Sequence, residues 1–238
     1  MTLLAEVIES HGGADLWRQL RRFCARVSIK GALLAGKGKA DALKDVVVDG
    51  STRDQFLRFT GFSGPDRRAT YRPDRVTVES LDGQVLAARN EPRAAFAGHT
   101  DSTAWDDLHL AYFVGYSNWN YFTTPFLLAG EGFVSEELAP WQEDGQTWRR
   151  LKVTFPSRIA THSPVQTFYF DQQGLLRCVK YRAIAGCGAM LCDYTWAQEE
   201  FSGIIVPTQR SACRIASNGR PATDPPSVTV ELLDVAFE

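Results

Sequence analysis

Phe23-Cys24-Ala25-Arg26-Val27-Ser28-Ile29-Lys30 decides the fold class. Apolar Phe23, Ala25, Val27 and Ile29 alternate with Cys24, Arg26, Ser28 and Lys30, the period of two that a half-buried β-strand presents. Strand-like runs continue outward from it. Val46 to Val48 and Phe56 to Phe59 are short apolar runs bounded by Asp49-Gly50 and Gly61. Arg75 to Ser80 and Val85 to Arg89 flank Leu81-Asp82-Gly83-Gln84, a hairpin signal. Phe133 to Leu138 and Trp148 to Phe155 bracket a turn at Asp144-Gly145, and Val165 to Phe170 and Leu175 to Ile184 bracket Asp171-Gln172-Gln173-Gly174. Leu191 to Phe201, Ile204 to Ile215 and Val228 to Phe237 finish the chain. About ten to twelve strands at this spacing read as antiparallel meanders. Strands and helices do not alternate, which argues against a parallel doubly wound sheet. The expectation is a mainly β (α+β) single domain over residues 1–238.

Two stretches interrupt the strand pattern. Leu4, Val7, Ile8, Leu16, Trp17 and Leu20 follow helical spacing broken at Gly12-Gly13, giving an N-terminal helix over about 4–21 in one interrupted or two short pieces. Asp15 is the expected cap of the second piece. The other stretch is a helical insertion over about 103–129. Thr103 is placed to cap it, and Asp106-Asp107 favour its first turn through the helix dipole. Pro125 forces a break or a new start, so the expectation is two pieces, about 104–116 and 118–129.

Composition removes several functions. The 238 residues carry a formal net charge of −2, and Arg21-Arg22, Arg67-Arg68 and Arg149-Arg150 form no basic run. No nucleic-acid partner is expected without a clustered basic footprint. No stretch approaches the roughly twenty apolar residues that a spanning helix needs. Met1 to Glu9 lacks the basic start of a signal peptide, so the expected location is cytoplasmic. Cys24, Cys178, Cys187, Cys192 and Cys213 include no Cys-x-x-Cys pair and read as core or surface thiols; a Cys187/Cys192 metal or redox pair is the alternative.

Candidate chemistry concentrates in the insertion and around the histidines. Trp105, Leu108, His109, Tyr112 and Tyr116 share a helix face. A helix packed on a sheet accounts for such aromatics by area alone. A ligand pocket also accounts for the polar tips of His109, Tyr112, Tyr116, Trp119, Asn120 and Tyr121. On that reading the ligand-binding set is Trp105, His109, Tyr112, Tyr116, Trp119, Asn120 and Phe122. His99 and His162 sit in loops beside strands, where functional residues often sit. Asp106 and His109 are three apart on a helix and within reach of each other. An acid there would orient a histidine base; a surface pair of little consequence would look the same. His99, Asp106, His109 and His162 are therefore the catalytic candidates. No metal-binding histidine spacing occurs, and no metal or cofactor is expected. Gly36-Lys37-Gly38-Lys39 lacks the rest of a phosphate loop and reads as a turn. There is no Gly-x-Ser-x-Gly elbow and no Gly-x-Gly-x-x-Gly.

Phe170-Asp171-Gln172-Gln173-Gly174-Leu175-Leu176 and Phe201-Ser202-Gly203-Ile204-Ile205-Val206-Pro207-Thr208 resemble a hairpin and a later strand of the LolA/LolB-like lipoprotein-carrier family. The order helix, meander, helical insertion, meander resembles that family too. Asp106 to Phe113 and Trp119-Asn120-Tyr121 also look like a group of bacterial proteins of uncharacterised activity. The carrier resemblance implies an unclosed half-barrel, a large curved antiparallel sheet with helices lidding its concave face. Lipoprotein carriers have a leader or a lipobox cysteine, and this chain shows neither.

Three functions follow. The first is binding or carrying a hydrophobic small molecule or lipid between the curved sheet and the aromatic helix. The second is a cofactor-independent enzyme, a cyclase, isomerase or hydrolase, using a His/Asp/Tyr cluster on an apolar substrate. The third is an interaction module, a homodimer among its forms, using a sheet edge or the Trp-rich surface.

Overall fold

A computed structural model describes residues 1–183 and 188–238. Two short helices open the chain, α1 (Leu3–Ser10) and α2 (Ala14–Gln19). The first meander contains β1 (Arg22–Lys30), the short helix α3 (Ala32–Gly36), β2 (Val46–Ser51), β3 (Leu57–Thr60), β4 (Arg67–Arg72), β5 (Arg75–Ser80) and β6 (Val85–Asn90). The helical insertion is a 3₁₀ turn (Pro92–Phe96), the long helix α4 (Asp107–Thr123) and a second 3₁₀ turn (Phe126–Ala129). The second meander contains β7 (Val134–Glu143), β8 (Gln146–Thr154), β9 (Val165–Phe170), β10 (Leu176–Ala183), β11 (Ala189–Phe201), β12 (Ile204–Ile215), the two-residue β13 (Pro221–Ala222) and β14 (Val228–Phe237).

These strands form one antiparallel sheet in the order β6-β5-β4-β3-β2-β1-β14-β12-β11-β10-β9-β8-β7, with β13 paired to β12. The path ends at β6 and β7, so the sheet is not closed into a barrel. β14 is the seam between the meanders. It pairs with β1 along its length, Phe23 opposite Phe237 through Lys30 opposite Thr229, and with β12 on its other side. The alternation read in β1 appears as burial: Phe23, Ala25, Val27 and Ile29 are buried and their neighbours face outward.

α4 differs from a surface helix in being buried nearly all round. It packs on β4 and β5, and Gly115 permits the approach: a Cβ there would lie 2.2 Å from Cγ of Tyr71. The expected break near residue 117 does not occur. Ser117 Oγ and Asn118 Nδ2 donate to the carbonyls of Phe113 and Val114, each 2.8 Å away, so neither polar side chain disturbs the helix. The helix ends only where Pro125 ends it. The expected cap is also displaced. Asp106, not Thr103, accepts the His109 backbone N–H at 2.8 Å, and the His109 ring reaches back to the Asp106 N–H in a reciprocal capping box. The Cys187/Cys192 pair cannot be followed, because Cys187 lies outside the described residues. Cys178, Cys192 and Cys213 are free, buried thiols packed with Trp148 and Tyr169.

Candidate functional site

A cavity of about 350 Å³ lies between α4, α3 and the sheet. From α4 it is walled by Phe113, Val114, Ser117, Asn118 and Tyr121. The sheet contributes Ile29 of β1, Tyr181 of β10, Leu191 of β11, Ala212 of β12, and Val228 and Val230 of β14. The i, i+3, i+4, i+7 spacing from Val114 to Tyr121 puts that wall on one side of the helix. Charged groups on the described wall are Lys37, Asp101 and Arg214.

His162 brings polarity to this wall. It lies in the β8–β9 loop, which side chains from elsewhere hold in place. The Gln55 amide bonds both the N–H and the carbonyl of Ala160 at 2.8 Å. Asn120 donates to the same carbonyl at 3.1 Å, and Arg93 donates to the Thr161 carbonyl at 3.1 Å. The His162 ring stacks on Tyr181 at 4.2 Å and 7°. Its Nδ1 is 3.3 Å from the Tyr116 hydroxyl, and its Nε2 is 3.3 Å from that of Tyr121. Burial, reinforced by repulsion from Arg210 and Arg93, pushes the His162 pKa down to about 3. The ring is therefore neutral at physiological pH, with one nitrogen donating and the other accepting.

Behind Tyr121 lies a buried ion pair. Arg210 of β12 is 2.9 and 3.1 Å from Asp193 Oδ2 on β11, and both side chains are almost fully buried. The Arg210 guanidinium also stacks 3.9 Å over the Tyr121 ring. Burial raises the Asp193 carboxyl, while Arg210 and the Tyr121 hydroxyl pull it back. His162, the tyrosines and this pair make one continuous polar chain running from the cavity wall into the protein behind it.

Of the four catalytic candidates read from sequence, His99, Asp106 and His109 come together, and His162 stands apart from them. His99 and His109 meet, rings 4.8 Å apart, at the start of α4 against Phe96. His109 Nδ1 is 2.7 Å from Asp106 Oδ1, and its Nε2 is 3.3 Å from the Ala95 carbonyl, so the ring holds the helix start. His162 contacts Tyr116, seven residues or about 10 Å further along the helix. Of the four catalytic candidates only His162 lines the cavity.

The expected ligand-binding residues serve mainly as core. Trp105 packs on Phe96 and Phe113. Tyr112 packs on Tyr71 and Tyr116, Trp119 Nε1 donates to the Ser51 carbonyl at 2.8 Å, and Phe122 stacks on Phe23 at 4.3 Å. Asn120 holds the His162 loop. The cavity wall is the neighbouring face: Tyr121, whose polar tip the sequence reading noted, with Val114, Ser117 and Asn118, which it did not select. Among the described residues no group of three or more His, Cys, Asp and Glu is placed to hold a metal ion, and no helix is long and apolar enough to cross a membrane.

No protein-family model matches the sequence, and no curated protein matches it. Solved structures share the architecture. A LolA superfamily protein from Nitrosomonas europaea superposes with a TM-score of 0.52 at 10% identity, covering 98% of this chain and 92% of that one. A DUF1329 family protein from Desulfovibrio piger gives 0.52 at 12% identity, covering 99% and 92%. A putative outer membrane lipoprotein-sorting protein domain from Vibrio parahaemolyticus gives 0.47 at 10%, covering 99% and 91%. The LolA-like fold expected from the sequence is the fold of this chain. The cytoplasmic expectation is corrected: it does not hold against the fold shared with solved structures such as the LolA superfamily protein. The composition of Met1 to Glu9, on which the expectation rested, does not outweigh them.

Proposed function

We propose that the protein binds and carries one apolar small molecule or single-chain lipid in the cavity between α4 and the sheet. The observation that carries this reading is the cavity itself, apolar over most of its wall, with the His162–Tyr121–Tyr181 cluster as its main neutral polar feature. Ligand sites have this character: apolar walls with a few convergent polar groups. Size narrows the ligand. An apolar cavity of about 150 Å³ accepts benzene, so about 350 Å³ holds roughly a dozen non-hydrogen atoms. That suits one medium acyl chain or a small fused-ring molecule, and is too small for a whole multi-chain lipid. The fold shared with a LolA superfamily protein agrees with a role in handling hydrophobic molecules.

The enzyme reading has less support. A general base works best with a pKa near the operating pH. His162 titrates near 3, and His109 is engaged in capping α4.

The test is native mass spectrometry of freshly purified protein, followed by titration with an uncharged naphthyl fluorophore into wild type and Ala212→Phe. Ala212 is a buried β12 residue on the cavity wall, and phenylalanine there fills the space without introducing charge. A stoichiometric apolar adduct, or saturable binding that the variant loses while remaining folded, supports the reading. Binding that Ala212→Phe leaves unchanged, or no binding by wild type, refutes it.

A further inference from the structure

Lys37 stands just after α3, within the glycine-lysine turn, and is one of the residues lining the cavity, only 2% exposed. A lysine this buried is ordinarily paired with an acid. Lys39, two residues on, follows that rule and meets Asp107 at 2.7 Å. Lys37 does not: among the described residues no carboxylate lies within 4.0 Å of its ammonium. The Nζ instead donates to the Thr100 carbonyl at 2.8 Å and the Asp101 carbonyl at 2.9 Å, and sits 5.7 Å over the Trp105 ring. Carbonyls and a ring face solvate the charge without neutralising it. An ammonium has three donors, and these two bonds use two of them.

The other charges on this wall do not supply the missing anion. The Asp101 carboxylate is held bidentately by Arg214 at 2.6 and 3.1 Å. Among the described residues of the wall, Lys37, Arg214 and Asp101 together leave one net positive charge, and the rest of the lining is uncharged and mostly apolar.

We infer that the cavity selects a single-chain amphiphile with an anionic oxygen headgroup, the head meeting the Lys37 ammonium and the chain lying along the apolar wall. This rests on the cavity-binding reading above and adds the class of headgroup. A carboxylate and a phosphate monoester share the required chemistry. A cationic head is repelled, and an alcohol forgoes the charge-assisted bond.

The test is calorimetric titration of the full chain, in mildly alkaline low-salt buffer, with dodecanoate, dodecyl phosphate, dodecanol and dodecyltrimethylammonium. The chain is the same throughout, so the ranking reads the head. Wild type is expected to bind at least one anion about tenfold or more tighter than dodecanol, as hydrogen bonds to charged groups allow, and the cation weakest. The tighter of the two anions identifies the carboxylate or the phosphate source. Lys37→Met keeps an apolar stem of similar length and is expected to lose the preference for anions while still binding dodecanol; Lys37→Arg keeps it. The wild-type ranking decides the matter even if Lys37→Met fails to fold. Dodecanol binding as tightly as both anions overturns the headgroup inference and leaves the cavity reading intact. Binding of none of the four overturns both.

Discussion

His162 makes the stability of this protein sensitive to acid by an amount that follows from its surroundings. Burial first, then the positive charges of Arg210 and Arg93, lower its pKa to about 3 from an ordinary value of 6.5. A lowered histidine pKa means that the fold accommodates the neutral ring and resists the charged one. Above the unfolded value neither state is protonated, and the group has no effect on stability. Between the two values the unfolded chain binds a proton that the folded chain excludes, so stability falls as pH falls. Each unit of that window is worth about 1.4 kcal/mol. At about pH 5 the unfolded histidine lies some one and a half units below its pKa, and the loss relative to about pH 8 is about 2 kcal/mol. This figure depends little on the folded pKa, provided that pKa stays well below the assay pH.

Other groups titrate in the same window. His11 and His99 are also lowered by burial, and carboxylates contribute below it. The informative quantity is therefore the difference between wild type and His162→Gln, measured by urea unfolding across the range. Glutamine keeps hydrogen-bonding capacity toward Tyr116 and Tyr121 but cannot titrate. Whatever advantage wild type holds at about pH 8 is expected to shrink by about 2 kcal/mol at about pH 5. A difference that stays constant within about half a kcal/mol, the practical precision of such extrapolations, refutes the buried, neutral assignment of His162.

Three further outcomes follow from the packing. Arg210→Met leaves Asp193 buried without its ion-pair partner and is expected to cost about 3–5 kcal/mol, whereas adding Asp193→Leu recovers most of the loss in a denaturant double-mutant cycle. Gly115→Ala places a methyl against the base of the Tyr71 ring; overpacking of about 1–3 kcal/mol outweighs the gain of about 1 kcal/mol in helix propensity, and the thermal midpoint falls. Asp106→Ala removes the cap of α4 and its ion pair with Arg89, and is expected to cost about 1 kcal/mol by the same unfolding assay.

The sheet was readable because its signal is local. Each strand states its period within a few residues, and turns such as Asp144-Gly145 and Asp171–Gly174 state its ends. The seam was not readable in the same way. β14 finds β1 across the whole chain, and nothing in either strand names the other. The extent of α4 differs from the expectation argued from Pro125 because the proline acts only at its own position, and Ser117 and Asn118 do not interrupt the helix before it. In a helix such side chains can instead bond back to carbonyls one turn earlier.

The site was hard to read for a more general reason. Periodicity identifies the face of a helix with the most aromatic area, and in α4 that face is His109, Tyr112, Tyr116 and Trp119, with Trp105 just ahead of the helix. Area of that kind is used where packing is tightest, so much of this face goes to the sheet: Tyr112 to Tyr71 and Trp119 to Ser51. A cavity needs the opposite, a place where side chains stop short. Along its wall the residues are often small, Ala32, Gly36, Ser117, Ala183 and Ala212 among them, with Val114 and Asn118 beside them on α4. Val114, Ser117, Asn118 and Tyr121 were legible as a second stripe at helical spacing, but a stripe of modest residues attracts notice only once the space in front of it is seen. Lys37 escaped for the related reason that its turn has no motif. Its significance comes from the carbonyls of Thr100 and Asp101, more than sixty residues away in the chain, which close over it. Function in this fold is written in what surrounds a void, and sequence records the surroundings only piece by piece.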